Sequence, residues 1–343
     1  MSFFNFLDLT HDIAIDLGTA NTLIMYKDQV VVDQPSIVAI NRKTNEVIKV
    51  GYQAMQMHEK THENIRTIRP LKDGVIADFE AAEAMIREMI KMLYTDKRWF
   101  TPSYKMVICI PSGITEVEKK AVFNSAEAAG AKERYLIHEP MAAALGIGID
   151  VGEPVGNMII DIGGGTTEIA VIALMGIVCD QSIRVAGDEF THNIIDYIRR
   201  EHNLLIGERT AESIKINVGA ATLDLDNIPE DYPVNGRDLM TGIPKQVMVN
   251  YAEIVQCLDK SIAKIEEAIL KALEITPPEL AADIYRTGIY LTGGGALLRG
   301  LDKRIAAKTK LRVHIADDPL RAVVRGTGLA LKDTGRYPFL MNK

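Results

Sequence analysis

The sequence predicts an α/β protein built on an internally duplicated domain. Three stretches carry that prediction. Met158-Ile159-Ile160-Asp161-Ile162-Gly163-Gly164-Gly165-Thr166-Thr167-Glu168 is a short apolar run ending in an acid, three glycines and two threonines. Ile13-Ala14-Ile15-Asp16-Leu17-Gly18-Thr19-Ala20-Asn21-Thr22 repeats the plan near the start: apolar strand, Asp, Gly, small residues, Thr. Tyr290-Leu291-Thr292-Gly293-Gly294-Gly295-Ala296-Leu297-Leu298 puts a third glycine cluster after another apolar run. Two copies of one strand–Asp–Gly–Thr unit point to duplication.

Each copy has the chemistry of a phosphate grip. A short apolar run bounded by glycine reads as a buried strand. Glycine lets the chain turn sharply and brings backbone N–H groups close to a ligand. An acid beside a phosphate repels it unless a cation lies between, so Asp161 points to Mg²⁺. For one stretch alone, a tight turn capped by polar residues is an equal alternative. Two such turns facing each other would clamp a polyphosphate, and the coincidence of three clusters favours a nucleotide.

Composition sets outer limits. A chain of 343 residues has room for about two domains with sizeable cores. With 47% hydrophobic and 25% charged residues it has the make-up of a folded globular protein. A net charge of -7 argues against broad nucleic-acid binding. The 3 cysteines (Cys109, Cys179 and Cys257) lack metal-binding spacing and read as reduced core thiols of a cytosolic protein. No apolar run reaches membrane-spanning length and no cationic signal peptide is visible. Met1-Ser2-Phe3-Phe4-Asn5-Phe6-Leu7 is apolar for a terminus, either a short membrane anchor without cations or a segment packed beside the first strand.

In order along the chain, 29–32, 35–40 and 47–50 read as strands of a meander, 51–60 as a short helix, and 68–78 as loop and strand. Residues 79–94 carry Met85, Met89, Met92 and Leu93 at helical spacing. The loop Thr95-Asp96-Lys97-Arg98-Trp99-Phe100-Thr101-Pro102 sets two aromatics beside two cations, which suits an anionic lipid surface or a loop tip folded on the core. After a strand at 106–110, Thr115-Glu116-Val117-Glu118 is a capping box for a helix stopped near Gly130. The strand Tyr135-Leu136-Ile137 leads to Glu139, an acid at the start of a Pro-led helix, placed to orient a water or accept its proton, though a lone Glu there reads first as a solvated helix-start acid. Strands at 169–174 and 177–185 continue the central hairpin. Helices follow at 187–202 and 210–218, the second with Glu212 and Lys215 one turn apart, as an exposed ion pair or as groups for a ligand. Polar strand and turn fill 224–248. A long helix covers 251–275 and ends before Pro277-Pro278; a helix at 300–309, a strand at 312–315 and a closing helix at 319–331 complete the chain.

Asp16 to Thr22, Glu139-Pro140, Asp161 to Glu168 and Thr292 to Ala296 occur in the order and spacing of the actin, sugar-kinase and Hsp70 ATPase superfamily. Within it, Ile15 to Thr22, Gly187-Asp188, Gly207-Glu208-Arg209-Thr210-Ala211-Glu212 and the length resemble the MreB family of bacterial actins, which help determine cell shape. The resemblance covers nearly the whole chain. It implies an actin-like two-lobed α/β fold, with duplicated RNase H-like domains that each carry a small inserted subdomain. The large subdomains would be 1–33 with 68–147 and 318–343, and 148–182 with 249–317; the small ones would be 34–67 and 183–248.

The same resemblance implies ATP and Mg²⁺ as cofactors. Gly18, Thr19, Ala20 and Asn21 would meet the phosphates from one lobe and Gly163, Gly164, Gly165 and Thr166 from the other. Asp16 and Asp161 would hold Mg²⁺ through water, and Glu139 and Thr166 would position the attacking water. Glu208, Glu212 and Lys215 would lie near adenine and ribose, with Gly293, Gly294, Gly295 and Ala296 against the base. The reaction implied is in-line attack of water on the γ-phosphate, slow and coupled to polymerisation. Implied partners are further copies of the chain in head-to-tail filaments, paired antiparallel through the Val117 and Glu118 helix, together with the inner membrane face through Trp99 and Phe100 and membrane proteins of cell elongation. His138 departs from the family, which more often has an acid beside the catalytic Glu. A chaperone ATPase would continue into a peptide-binding domain, a sugar kinase needs an Asp base in a substrate pocket, and a nucleotide-binding scaffold without turnover is the third alternative.

Overall fold

The computed structural model describes residues 10–93 and 103–342. Trp99, Phe100 and the apolar start at 1–7 lie outside them. The chain divides into two compact units. One runs to Glu153 and takes in Leu174–Gly176 and the chain from Arg321; the other is Pro154–Ala173 with Ile177–Leu320. The divisions at 153/154 and 320/321 fall a few residues beyond the 147/148 and 317/318 expected from sequence.

The first unit's main sheet has strands β1 (Thr10–Leu17), β2 (Asn21–Tyr26), β3 (Gln29–Pro35), β4 (Ser103–Ile110) and β5 (Ala131–His138). Their order is β3-β2-β1-β4-β5. The first three form an antiparallel meander, and β4 and β5 run parallel to β1. In the second unit β6 (Asn157–Ile162), β7 (Thr167–Ala173), β8 (Gly176–Ile183), β9 (Ile289–Thr292) and β10 (Val313–Ile315) take the order β8-β7-β6-β9-β10. Again an antiparallel hairpin leads into two parallel strands. The repeat seen in sequence is thus a repeat of whole sheets. Each unit also carries a small three-stranded sheet, Val38–Asn41 with Val47–Val50 and Ile65–Ile68 in the first, and Leu204–Leu205 with Tyr232–Asp238 and Pro244–Val249 in the second.

Helices cover the sheets with the faces their periodicity predicts. α1 (Phe79–Lys91) buries Met85, Ile86, Met89 and Ile90 and is capped by Asp78. It stops at Lys91, so Met92, expected on the core face, lies past its end and is exposed. α2 (Glu116–Ala128) has the Thr115–Glu118 capping box, and Gly130 at φ +100 ends the turn after it. α3 (Glu139–Gly146) starts where β5 stops. In the second unit, α4 (Gly187–His202) and α5 (Glu208–Val218) precede α6 (Tyr251–Ile275), whose Ile254, Leu258, Ile262, Ile265 and Ile269 are fully buried. α7 (Ala322–Lys332) returns to the first unit and packs on α3. Gly146 and Gly326 let these two helices touch backbone to backbone: a Cβ on Gly326 would overlap the Ala142 carbonyl, and one on Gly146 the Ala322 carbonyl.

Several sequence expectations change. The strand expected at 35–40 breaks after Pro35, because Ser36 turns inward to bond the first hairpin. The short strand at 135–137 runs over all of Ala131–His138. Pro277-Pro278 ends one helix and also opens the next, Pro278–Thr287, since proline fits a helix's first turn. The C-terminal tail, without an assigned role in sequence, adds the edge strand Met341–Asn342 beside Tyr135 and Leu136. Among the described residues no helix is long and apolar enough to cross a membrane.

Candidate functional site

The two hairpins close with the same geometry. The last paired residues are Leu17↔Thr22 in one and Ile162↔Thr167 in the other, with four loop residues between them each time. Asp16 and Asp161 stand one residue before those pairs. Thr22 and Thr167 are fully buried and serve the scaffold: Thr22 Oγ1 lies 2.8 Å from Ser36 Oγ, and Thr167 Oγ1 donates to the Val185 carbonyl at 2.7 Å.

What distinguishes both loops from ordinary turns is the fate of their carbonyls. In the first, Ser36 Oγ donates to the Gly18 carbonyl at 2.6 Å and Ser36 N–H to the Ala20 carbonyl at 2.9 Å. In the second, the N–H groups of Gly187 and Asp188 at the start of α4 donate to the Gly163 and Gly164 carbonyls at 3.1 and 2.8 Å. A trans peptide sets its C=O and the next N–H in opposite directions, and no cis bond occurs among the described residues. The N–H groups of Thr19 and Asn21 therefore point away from Ser36, and those of Gly164 and Gly165 away from α4. Each loop turns a pair of donors outward, as an anion needs. The Thr19 hydroxyl, by contrast, accepts from Gly74 N–H at 2.9 Å. Gly74 belongs to an Asp73-Gly74 hairpin turn with both φ values positive, a signal present in the sequence and missed there.

The acids are set on the same framework. Asp161 is buried, and Thr292 Oγ1 on the neighbouring strand β9 donates to its Oδ1 at 2.7 Å. In the first unit the Cys109 thiol on β4 donates to Asp16 Oδ1 at 3.1 Å. Glu139, the first residue of α3, is only 8% exposed. Burial, then the charges of Asp16 and Glu139, push the Cys109 thiol well above its ordinary range. A core thiol was foreseen at Cys109; its hydrogen bond to Asp16 was not.

Each hairpin by itself has donors that fit Mg²⁺, which keeps most of its waters and takes one or two carboxylates together with phosphate oxygens. Asp16 and Asp161 each offer a hard oxygen at a loop end. Among the described residues no group of three or more His, Cys, Asp or Glu is placed to hold a metal ion by itself. Burial pushes the Asp161 carboxyl up to about 6, against the pull of the Thr292 hydrogen bond. A nearby cation would relieve that penalty.

A prediction follows for the chain free of nucleotide and metal. Below the ordinary value of 3.8, Asp161 is protonated folded or unfolded and its charge costs nothing. As pH rises from there through about 6, the unfolded chain ionises first and the folded state loses stability. Asp161→Asn keeps an acceptor for Thr292 without the charge. It should be the more stable chain above pH 6, by about 3 kcal/mol at most, and equal to the native chain in acid. Denaturant unfolding in EDTA from pH 4 to 8 checks this; equal midpoints at pH 8 would contradict it.

The residues expected around adenine and ribose gather in the second unit. Lys215 Nζ binds the Gly187 carbonyl at 2.9 Å, Thr191 Oγ1 at 3.0 Å and Glu212 Oε2 at 2.7 Å. The Lys215 side chain is 16% exposed and that of Glu212 47%, so the ion pair is open to solvent on its acidic side, while Lys215 also ties α5 to the start of α4. Glu208 lies in the first turn of α5. The third glycine cluster packs on the second hairpin: a Cβ on Gly293 would overlap the Ile162 backbone, and one on Gly295 the Ile162 side chain. Gly294 is exposed and Ala296 buried. Asp161, Gly163–Thr166, α5 and Gly293–Ala296 are thus all brought into one unit, and Asp16, Gly18–Asn21 and Glu139 into the other.

A family model described as MreB/Mbl protein matches residues 10–337. The chain belongs to the MreB/Mbl family. It is 48% identical over 328 residues to the cell shape-determining protein Mbl of Bacillus subtilis, across 95% of this chain and 97% of that one. It is 47% identical over 328 residues to the cell shape-determining protein MreB of Escherichia coli, covering 94% of each. Among solved structures, MreB5 of Spiroplasma citri bound to AMPPNP superimposes with a TM-score of 0.89 at 41% identity, across 95% of this chain and 97% of that one. The same protein has been solved with ADP. A MamK double helical filament, at 22% identity and a TM-score of 0.78, shares the fold. The fold of this MreB/Mbl-family chain is therefore the actin-like one that its motifs implied.

Proposed function

We propose that this chain binds Mg-ATP, hydrolyses it slowly, and assembles into filaments that lie on the membrane and help set cell shape. The observation that carries the reading is the shared anchoring of the two loops, which turns N–H pairs outward from Thr19 and Asn21 in one unit and from Gly164 and Gly165 in the other. Relatives named for cell shape, and one solved with AMPPNP and with ADP, support the same reading. Asp16 and Asp161 hold Mg²⁺ through its waters, and Glu139 and Thr166 orient the water that attacks the γ-phosphate. Catalysis rests on positioning and charge neutralisation. Glu208, Glu212 and Lys215 frame the ribose and adenine, with Gly293–Ala296 against the base.

Assembly is head to tail, with filaments paired antiparallel through α2, where Val117 is an apolar side chain 79% exposed. Trp99 and Phe100 enter the lipid surface, and membrane proteins of cell elongation bind the filament. Every residue of the proposed site belongs to a single copy of the chain, so assembly needs its own test. Purified protein should form paired filaments on anionic liposomes with Mg-ATP, seen by electron microscopy, and none in EDTA. Single particles under both conditions would refute the filament reading.

A further inference from the structure

The two site aspartates have corresponding partners. Asp161 pairs in register with Thr292 on the adjacent parallel strand β9. In the first unit Ile15 pairs with Ile108 on the adjacent parallel strand β4, and the next residues are Asp16 and Cys109. Thr292 and Cys109 therefore occupy the same station in the two copies of the sheet. Both are buried, and both donate to an Oδ1, Thr292 through a hydroxyl at 2.7 Å and Cys109 through a thiol at 3.1 Å. Sequence comparison of the hairpins alone does not reveal this, because the two donors are different residues on strands far along the chain.

We propose that Cys109 is a positioning residue for Asp16, doing with a thiol what Thr292 does with a hydroxyl for Asp161. The inference rests on the reading that these aspartates hold the Mg²⁺ of a bound nucleotide. A carboxylate only accepts. A donor fixed to one oxygen sets the rotation of the group and aims the other oxygen, and such outer partners govern metal affinity. The duplication has kept the device and changed its strength. Of the two donors, the Cys109 S–H is the weaker and the Thr292 hydroxyl the stronger.

The test is Mg²⁺ titration of fluorescent ADP binding to the full chain, with parallel titrations in EDTA and thermal unfolding without nucleotide. Cys109→Ala should raise the Mg²⁺ concentration for half-maximal effect about threefold, and Thr292→Val about tenfold. Affinity in EDTA should be unchanged in both. Thr292→Ser should restore the native requirement, and Cys109→Ser, a stronger donor of nearly the same size, should bring it to or below the native value. A native chain with Mg²⁺-dependent binding whose Cys109→Ala variant keeps the native requirement overturns the inference alone. So does equal weakening with and without Mg²⁺, which marks a merely structural role. If Cys109→Ala does not fold, a Mg²⁺ requirement above native in Cys109→Ser overturns it. A native chain without Mg²⁺-dependent binding overturns the underlying reading and the inference together.

Discussion

Replacing Gly326 with alanine should unfold the first unit. The new methyl would overlap the Ala142 carbonyl oxygen, which is backbone and cannot turn aside as a side chain would. Gly146 presents the same face to Ala322, so the helices cannot separate on one side without losing contact on the other. Moving α7 outward would also strip cover from Ala142, Ala143, Ala144, Ala322, Val323 and Val324, all now buried. Overpacking of this kind costs about 3 kcal/mol or more, a large share of a domain's stability. Chemical denaturation should show a much lower midpoint, or no soluble protein at all. Gly335→Ala is the control, since its methyl would meet only the exposed Asp333 carboxylate at 3.6 Å. A native midpoint for Gly326→Ala would show that the helices do not meet through their backbones.

Glu139→Gln should stop turnover and spare binding. The carboxylate sits at the first position of α3, where the helix dipole favours its charge. The amide keeps shape and hydrogen-bonding reach but can neither take the proton of an attacking water nor orient it as an anion does. Phosphate release should fall about 10²–10⁴-fold, with ATP affinity within a factor of about two. Because the site is set by β5 and a Pro-led helix, the fold should be indifferent to the change. Unchanged release would remove Glu139 from the reaction. No release from the native chain under polymerising conditions would favour a nucleotide-binding scaffold instead.

Much of this was legible in residue order. The hairpins announce themselves because their strands are apolar and their turns need glycine, so local chemistry and fold agree. α6 and α4 could be placed because their buried residues recur at helical spacing. What escaped were contacts between distant segments. Ser36 reads as part of a strand until the Gly18 carbonyl is seen beside it. Cys109 reads as a core thiol because burial alone explains it, and only β-sheet register brings it to Asp16. The two turns that close the second hairpin of each sheet, Lys27-Asp28 and Leu174-Met175, hold positive φ at every position without a glycine or asparagine to signal it. Lys215 and Glu212 gave the right spacing for a pair, but the Gly187 carbonyl that makes the pair a tie lies on another helix.

The two loops are moored differently, and the difference sets how force leaves them. The first is moored to Ser36 and, through the Thr19 hydroxyl, to the Asp73-Gly74 turn, so strain applied there is taken up in short segments. The second is moored to the leading amides of α4, a rigid rod of 16 residues. Thr191 and Lys215 then rivet that rod to α5. A tug on Gly163 and Gly164 as the phosphate chain shortens would have a load path of stiff members, from loop to rod to second rod. Within its own unit the second loop is thereby built as the input end of a lever.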